Sequence, residues 1–210
     1  MRFLSVAAAV LGTALTALTA LTALLAASSY AQEQTATIAG SIQAVDGPII
    51  VVKQSNGKEA KVTLSDKLVV SGVVKKSASD IKQDDYVGVG AVPQADGRLR
   101  AIRISIFPAD RKGTNEGFGP WSGAPDGTMT NATVDTLVTD VNGPVLTLKY
   151  KGGEKTVVVT PQTQITTSVA GDPSEIKPGA NVRMVGATKN PDGTFAAARI
   201  SVGRDGVVPR

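Results

Sequence analysis

Asp96-Gly97-Arg98-Leu99-Arg100-Ala101-Ile102-Arg103-Ile104-Ser105 and Asp192-Gly193-Thr194-Phe195-Ala196-Ala197-Ala198-Arg199-Ile200-Ser201 are two versions of one phrase. Each opens on Asp-Gly, the turn chemistry of a hairpin, and runs on to Arg-Ile-Ser. Strict alternation in the run predicts a strand. Ile102, Ile104 and Ile106 would share one face, as would Ala198, Ile200 and Val202. Arg103 and Arg199 would point the other way.

The likeness spreads outward from these phrases. Ala36-Thr37 returns as Ala132-Thr133, Gly47-Pro48 as Gly143-Pro144, and Ser79-Asp80-Ile81-Lys82 as Ser174-Glu175-Ile176-Lys177. The offset is 96 at both ends and 95 in the middle, which places one deletion and one insertion in loops. Residues 36–107 and 132–203 are therefore read as diverged copies of one unit, each a domain. A pattern kept in both copies is ascribed to the fold before it is ascribed to chemistry.

Each copy reads as five short strands. Asp46-Gly47-Pro48 and Asn142-Gly143-Pro144 are turns, with glycine for the left-handed backbone and proline to preset the exit. Ile49 to Val52 and Val145 to Leu148 are branched-chain strands. Ser55-Asn56-Gly57-Lys58 and Lys151-Gly152-Gly153-Glu154 are hairpin turns. Lys61 to Leu64 and Thr156 to Val159 form third strands, which Lys67 to Val74 and Gln162 to Val169 extend or follow. Ser77 to Lys82 and Asp172 to Lys177 carry helix-start signals, enough for one turn of helix or 3₁₀. The expected fold is all-β: two tandem small Greek-key barrels, OB-like, whose closure hides the sheet edges. Tandem β-sandwiches are the alternative.

The repeated pattern resembles a family of exported bacterial proteins with small OB-like β-domains, often in tandem, without an assigned function. It comprises an opening Thr-Ile or Thr-Val strand, a Gly-Pro turn, Ser-Asp/Glu-Ile-Lys, and a hairpin ending Arg-Ile-Ser. The resemblance implies an all-β fold and an envelope location. It carries no catalytic residue to transfer.

The ends point to export. Arg2 precedes an apolar run from Phe3 to Ala27, and Ser29-Tyr30-Ala31 suits a signal peptidase. Residues 1–31 are read as a signal peptide, with an uncleaved anchor as the rival reading. No later run is long enough to span a bilayer. The protein is expected in the periplasm or outside the cell. Residues 204–210 read as a tail.

The chain has 210 residues, a net charge of +4, no cysteine and no histidine. Disulfides, thiolate chemistry, imidazole metal sites and histidine-based triads are thereby excluded. Both charge signs are mixed along the chain, which suits an ordinary solvated surface better than a polyanion stripe. Ser79-x-x-Lys82 has serine–lysine spacing, but it recurs at Ser174 and Lys177 and reads as a cap. Gly88-x-Gly90 lacks the following helix of a phosphate loop and reads as a bulge or barrel bend; the second copy has Arg183 and Val185 there. Asp80, Asp84 and Asp85 lack calcium-loop spacing and read as a solvated turn. Glu59 and Glu154 sit on hairpins. No metal site and no cofactor is expected.

Residues 108–131, between the copies, are rich in Gly, Pro, Ser, Thr and Asn and contain the chain's one tryptophan. Phe118 and Trp121 are read first as staples of this loop and second as ligand contacts, with Arg111 and Lys112 nearby. The candidate ligand surface is a cleft between the barrels, lined by Trp121, Phe118, Arg103 and Arg199. Its expected occupant is an oligosaccharide, an anionic small molecule or an envelope protein. Nucleic acid is disfavoured, because the expected binding strands carry only Tyr150 as a stacking platform. The resulting expectation is a non-enzymatic exported binding or adaptor protein. A carboxylate-dependent carbohydrate-active enzyme and an envelope metal-handling protein with oxygen ligands are the alternatives.

Overall fold

Branched side chains in alternation, interrupted by Gly-containing turns, set the element order, and the strands are long. A computed structural model describes residues 34–140 and 143–210 of the protein. The expected signal segment and Asn142 of the second Gly-Pro turn lie outside the described residues. The strands are β1 (Thr35–Asp46), β2 (Ile49–Gln54), β3 (Glu59–Lys76), β4 (Tyr86–Pro93), β5 (Leu99–Ile106) and β6 (Gly117–Pro120). They continue as β7 (Thr128–Asp140), β8 (Gly143–Tyr150), β9 (Gly153–Val158), β10 (Gln164–Ala170), β11 (Asn181–Lys189) and β12 (Phe195–Gly203). The helical signals resolve as 3₁₀ turns, Ala78–Asp80 and Pro173–Glu175. Both use the same device. Ser77 N–H donates to Asp80 Oδ2 at 2.8 Å, and Asp172 N–H donates to Glu175 Oε1 at 2.8 Å. No helix among the described residues is long and apolar enough to cross a membrane.

The protein is all-β and contains a closed five-stranded barrel, but a single copy does not build it. β2 pairs with β1 and β3, as a hairpin sequence dictates. The ring is then completed by β12, parallel to β3, and by β11, antiparallel to β1. The circular order is first, second and third strands of one copy, then fifth and fourth of the other. A second ring has the reciprocal make-up: β7, β8 and β9 with β5 and β4. Its last joint, between β5 and β9, is two residue pairs. The domain boundaries expected at 36–107 and 132–203 therefore do not bound self-contained barrels. The copies exchange their last two strands.

The length of β3 explains the exchange. Its 18 residues reach past the ring that their first half helps to close. Ser65 to Leu68 bulge from it between the pairs Leu64↔Ala197 and Val69↔Arg199, yet the strand continues to Lys76 and delivers β4 to the other ring. In the second copy Thr160 to Thr163 interrupt the run, and β9 and β10 are separate strands. Beyond the rings, β10 pairs antiparallel with the end of β3, from Ile165↔Lys76 to Ala170↔Ser71. Val73 and Ser168, equivalent residues of the two copies, face each other in this seam. A pseudo-twofold axis thus passes through that pair, the isologous geometry of a symmetric dimer within one chain.

Two cores follow from the exchange. Ile38, Ile42, Ile50, Val52 and Val62 pack with Val182, Met184, Ile200 and Val202 in the first ring. Val87, Val89, Leu99 and Ile104 pack with Val134, Leu146, Leu148 and Val157 in the second. The expected inward row of Ile102, Ile104 and Ile106 is corrected by a bulge. Gly90 pairs with Arg103 and Ala91 with Ala101, so Ile102 is the unpaired residue and Leu99, Ala101 and Ile104 line the core. β12 also shifts register between Ala197 and Arg199 against β3, and Ala198 is exposed.

The opening strands align differently from the reading of Ala36-Thr37 against Ala132-Thr133. Ser41 pairs with Asn181 in the first ring, and Thr133 pairs with Tyr86, the equivalent of Asn181, in the second. Ser41 and Thr133 are therefore the matched residues, 92 apart. The second copy's first hairpin is longer by four residues, and the pairs Thr133↔Lys149 and Val134↔Leu148 still match Ser41↔Lys53 and Ile42↔Val52.

Residues 108–131 are more ordered than a linker. They hold a 3₁₀ turn, Ala109–Arg111, and β6, which pairs with β7 from Gly117↔Asn131 to Pro120↔Thr128. The tail is also fixed. Arg204 N–H donates to the Val73 carbonyl at 2.9 Å, and Val207 is buried. The Arg204 guanidinium makes two bonds to Glu175, 2.9 Å from Nε to Oε2 and 2.8 Å from Nη2 to Oε1. That fork and the Asp172 backbone N–H hold the Glu175 carboxyl down at about 2. A depressed carboxyl stabilises the fold above its ordinary value of 4.5 and loses that contribution as pH falls towards 2. Glu175→Gln is expected to cost about 1 kcal/mol or less at pH 7, a surface-pair magnitude. The difference from wild type should shrink steadily as the pH of denaturant melts is lowered from 5 towards 2. A pH-independent difference would refute the pairing.

Candidate functional site

Alternation decides which side chains leave the first ring. On β12, Ile200 and Val202 point in, so Arg199 and Ser201 point out; on β11, Val182 and Met184 point in, so Arg183 and Val185 point out. Val69 and Ser71 do the same on β3, and the Ser71 and Ser201 hydroxyls lie 3.0 Å apart. This outward face is one wall of a cleft of about 850 Å³. β10 and the segment Pro108, Asp110 and Arg111 supply the rest. The volume falls in the roughly 300–1,000 Å³ range of small-molecule sites. Arg111, Arg183 and Arg199 line the cleft, and Asp110 is the acid among its lining residues. None of the three arginines belongs to a salt bridge among the described residues. Unpaired guanidiniums facing one space favour an anionic occupant and offer it bidentate hydrogen bonds.

The pseudo-twofold axis places an equivalent face on the second ring, and there it is filled. Arg103 stands for Arg199, and Gly88 and Gly90 stand for Arg183 and Val185. A Cβ at Gly90 would lie 2.9 Å from the Trp121 ring, and one at Gly88 would lie 3.0 Å from the Phe107 ring. Gly90 makes room for the Trp121 ring, and Gly88 for the Asn131 side chain and the Phe107 ring. The Arg103 guanidinium carbon sits 4.9 Å from the Trp121 ring centroid, a cation–π contact. Burial first, then the positive charges of Arg183 and Arg210, pull the Arg103 pKa below its ordinary value. Arg103 has no ion-pair partner among the described residues, so positive charge accumulates where the rings meet.

The expected contact residues do not form one group. Arg111 and Arg199 line the open cleft. Arg103 and Trp121 belong to the filled face. Phe118 is elsewhere: it stacks on Tyr150 at 6.5 Å, and Lys155 Nζ lies 4.4 Å from its ring centroid. Phe118 and Trp121 are three apart along extended chain, which sends them to opposite sides. Lys112 donates from Nζ to the Asp84 carbonyl at 3.3 Å and does not line the cleft. Trp121 lies against Gly90 of β4 and against Gly123 and Gly127 of its own loop. Arg183, Val69 and Val185 were not expected in the site. The exchange of Gly88 and Gly90 for Arg183 and Val185 was visible in sequence, but its meaning needed the twofold.

The other motifs take up structural places. Lys82 Nζ donates to the Ser79 backbone carbonyl at 2.7 Å, whereas Ser79 Oγ lies 2.8 Å from Ser77 Oγ. Lysine and serine hydroxyl are thus not joined as base and nucleophile. Asp80 accepts from Ser77 and Asp85 from the Lys82 N–H, each within its own turn. Hydrogen bonds to Ser77 lower the Asp80 pKa. Gly88 and Gly90 occupy a strand, as read.

A family model described as a domain of unknown function (DUF5666) matches residues 137–201. The second copy is thus similar to a domain family without an assigned function. The matched stretch runs from β7 to β12 and so contributes strands to both rings. No curated protein and no solved structure matches the chain.

Proposed function

We propose that this is an exported, non-enzymatic binding or adaptor protein whose ligand is an anion held in the cleft between the rings. The observation that carries the reading is the convergence of Arg111, Arg183 and Arg199 on one open cleft with no ion-pair partner. The carboxylates with displaced pKa values support binding over carboxylate catalysis. Asp80, Asp96, Asp172 and Asp192 are displaced downward by hydrogen bonds in turns and Glu175 by the Arg204 guanidinium first, opposite to what a general acid requires. The export reading rests on Arg2, the apolar run after it and Ser29-Tyr30-Ala31.

Pyrophosphate is a suitable first probe, because it presents dense charge without a shape requirement. It should raise the melting temperature of the purified protein. Arg183→Ala combined with Arg199→Ala should weaken binding by at least about 100-fold, at about 1.5–3 kcal/mol per charged hydrogen bond. The unliganded melt should not move, since both side chains point away from the core. No response to pyrophosphate or other small anions would sink the reading. Fractionation of the producing cell tests export separately: a wholly cytoplasmic chain retaining residues 1–31 would refute it.

A further inference from the structure

Resting on the anion reading of the cleft, we infer that the occupant is an aromatic carboxylate: a flat ring lying over Arg199 between Val69 and Val185, its carboxylate turned to Arg183 and Arg111. The surroundings of Arg199 set this cleft apart from a bare anion site. Val69 is the residue paired with Arg199 across the parallel β12–β3 joint. Val185 stands on β11, which pairs with β12 on either side of it at Arg183↔Ser201 and Thr188↔Ala196. Both valines line the cleft, and they are 55% and 66% exposed. Large apolar side chains left that open on either side of a guanidinium form a stripe that inorganic phosphate leaves uncovered. A ring would cover it, removing apolar area from water while stacking on the cation.

The protein contains its own precedent. At the twofold-related place the Trp121 ring lies over Arg103, the counterpart of Arg199. There the flanking residues are Gly90 and Gln164, paired with Arg103 across β4 and β10. The chain supplies the ring itself in that face, and glycine makes space for it. On the open face valines replace Gly90 and Gln164, and no aromatic residue lines the cleft. Arg183, in the place of Gly88, adds the charge that an indole does not need and a carboxylate does. The same scaffold thus presents a ring-on-arginine arrangement twice, once filled from within and once open.

Calorimetric titration of the purified protein with 2-naphthoate, propionate, 2-naphthamide and pyrophosphate tests the inference. Naphthoate is expected to bind at least about tenfold more tightly than propionate, from ring burial and cation–π stacking, and tenfold more tightly than the neutral amide. Val69→Ser with Val185→Ser should erase the preference for naphthoate over propionate and leave pyrophosphate binding intact. Both positions are exposed, and Val185→Ser alone, expected to halve the preference on a logarithmic scale, serves if the double variant unfolds. Arg199→Ala should lose naphthoate at least tenfold. If pyrophosphate binds through Arg183 and Arg199 but naphthoate does no better than propionate, the inference falls and the anion reading stands. The inference also falls if the serine variants keep the full preference or the amide binds as well as the acid. If no anion binds, both fall.

Discussion

Ile200→Ala should loosen the first three strands of the other copy, and Ile104→Ala should do the reverse. The two residues are equivalents in the repeat and are fully buried, Ile104 in the second ring and Ile200 in the first. Each substitution removes three carbons from a closed core and should cost about 2–5 kcal/mol. The pattern of loosening matters more than the size of the loss. In hydrogen exchange read by mass spectrometry, Ile200→Ala should raise exchange in β1, β2, β11 and β12 while β4, β5, β7 and β8 keep near-native protection. Ile104→Ala should give the mirror image. Local opening in cooperative units makes such a readout possible. Had each copy closed on itself, Ile200→Ala would spare β1 and β2 and expose β7 and β8. That result would overturn the strand exchange.

Cutting the chain between the copies should leave one particle. A protease site placed at the Ser122 to Asp126 turn lies in exposed backbone, clear of the rings. After cleavage, each ring still needs strands from both fragments, through β1–β11, β3–β12, β4–β7 and β5–β9. The nicked protein should co-elute as a single species in size exclusion at micromolar concentration and separate only with denaturant. Its melting temperature should fall and become concentration-dependent, because folding is then bimolecular. Two independently folded fragments in native buffer would contradict the topology. Residues 108–127 join the two copies and hold them at high effective concentration, as a linker would hold the partners of a swapped dimer.

Much of the local structure is legible in residues 34–210. The hairpins at Asp96-Gly97 and Asp192-Gly193, the capped turns at Ser77 and Asp172, and the all-β class follow from short-range chemistry. Turn residues, caps and alternation act over a few positions, and such effects survive in any tertiary setting. The bulge at Ile102 was not legible, since alternation runs through Ile102, Ile104 and Ile106 without a break. Nor was the alignment of the opening strands, since a hairpin of different length changes the offset without changing any pattern. Of the residues that line the open cleft, Arg111 and Arg199 were named from the sequence, and Arg183, Val69 and Val185 were not. Those three are ordinary strand residues until the two faces can be laid over each other.

The repeat, the strands and their turns were determined by the order of residues along the chain. Which ring each strand joins was decided only in three dimensions. The last strand of one copy offers the same inward Ile and the same backbone donors and acceptors as the last strand of the other. A ladder is satisfied by either, and each hydrophobic interior accepts either. The choice falls to a long-range term, the extended course of β3 past its own ring to the seam at Val73 and Ser168. That same course sets the two rings side by side and leaves one arginine face covered by Trp121 and the other open.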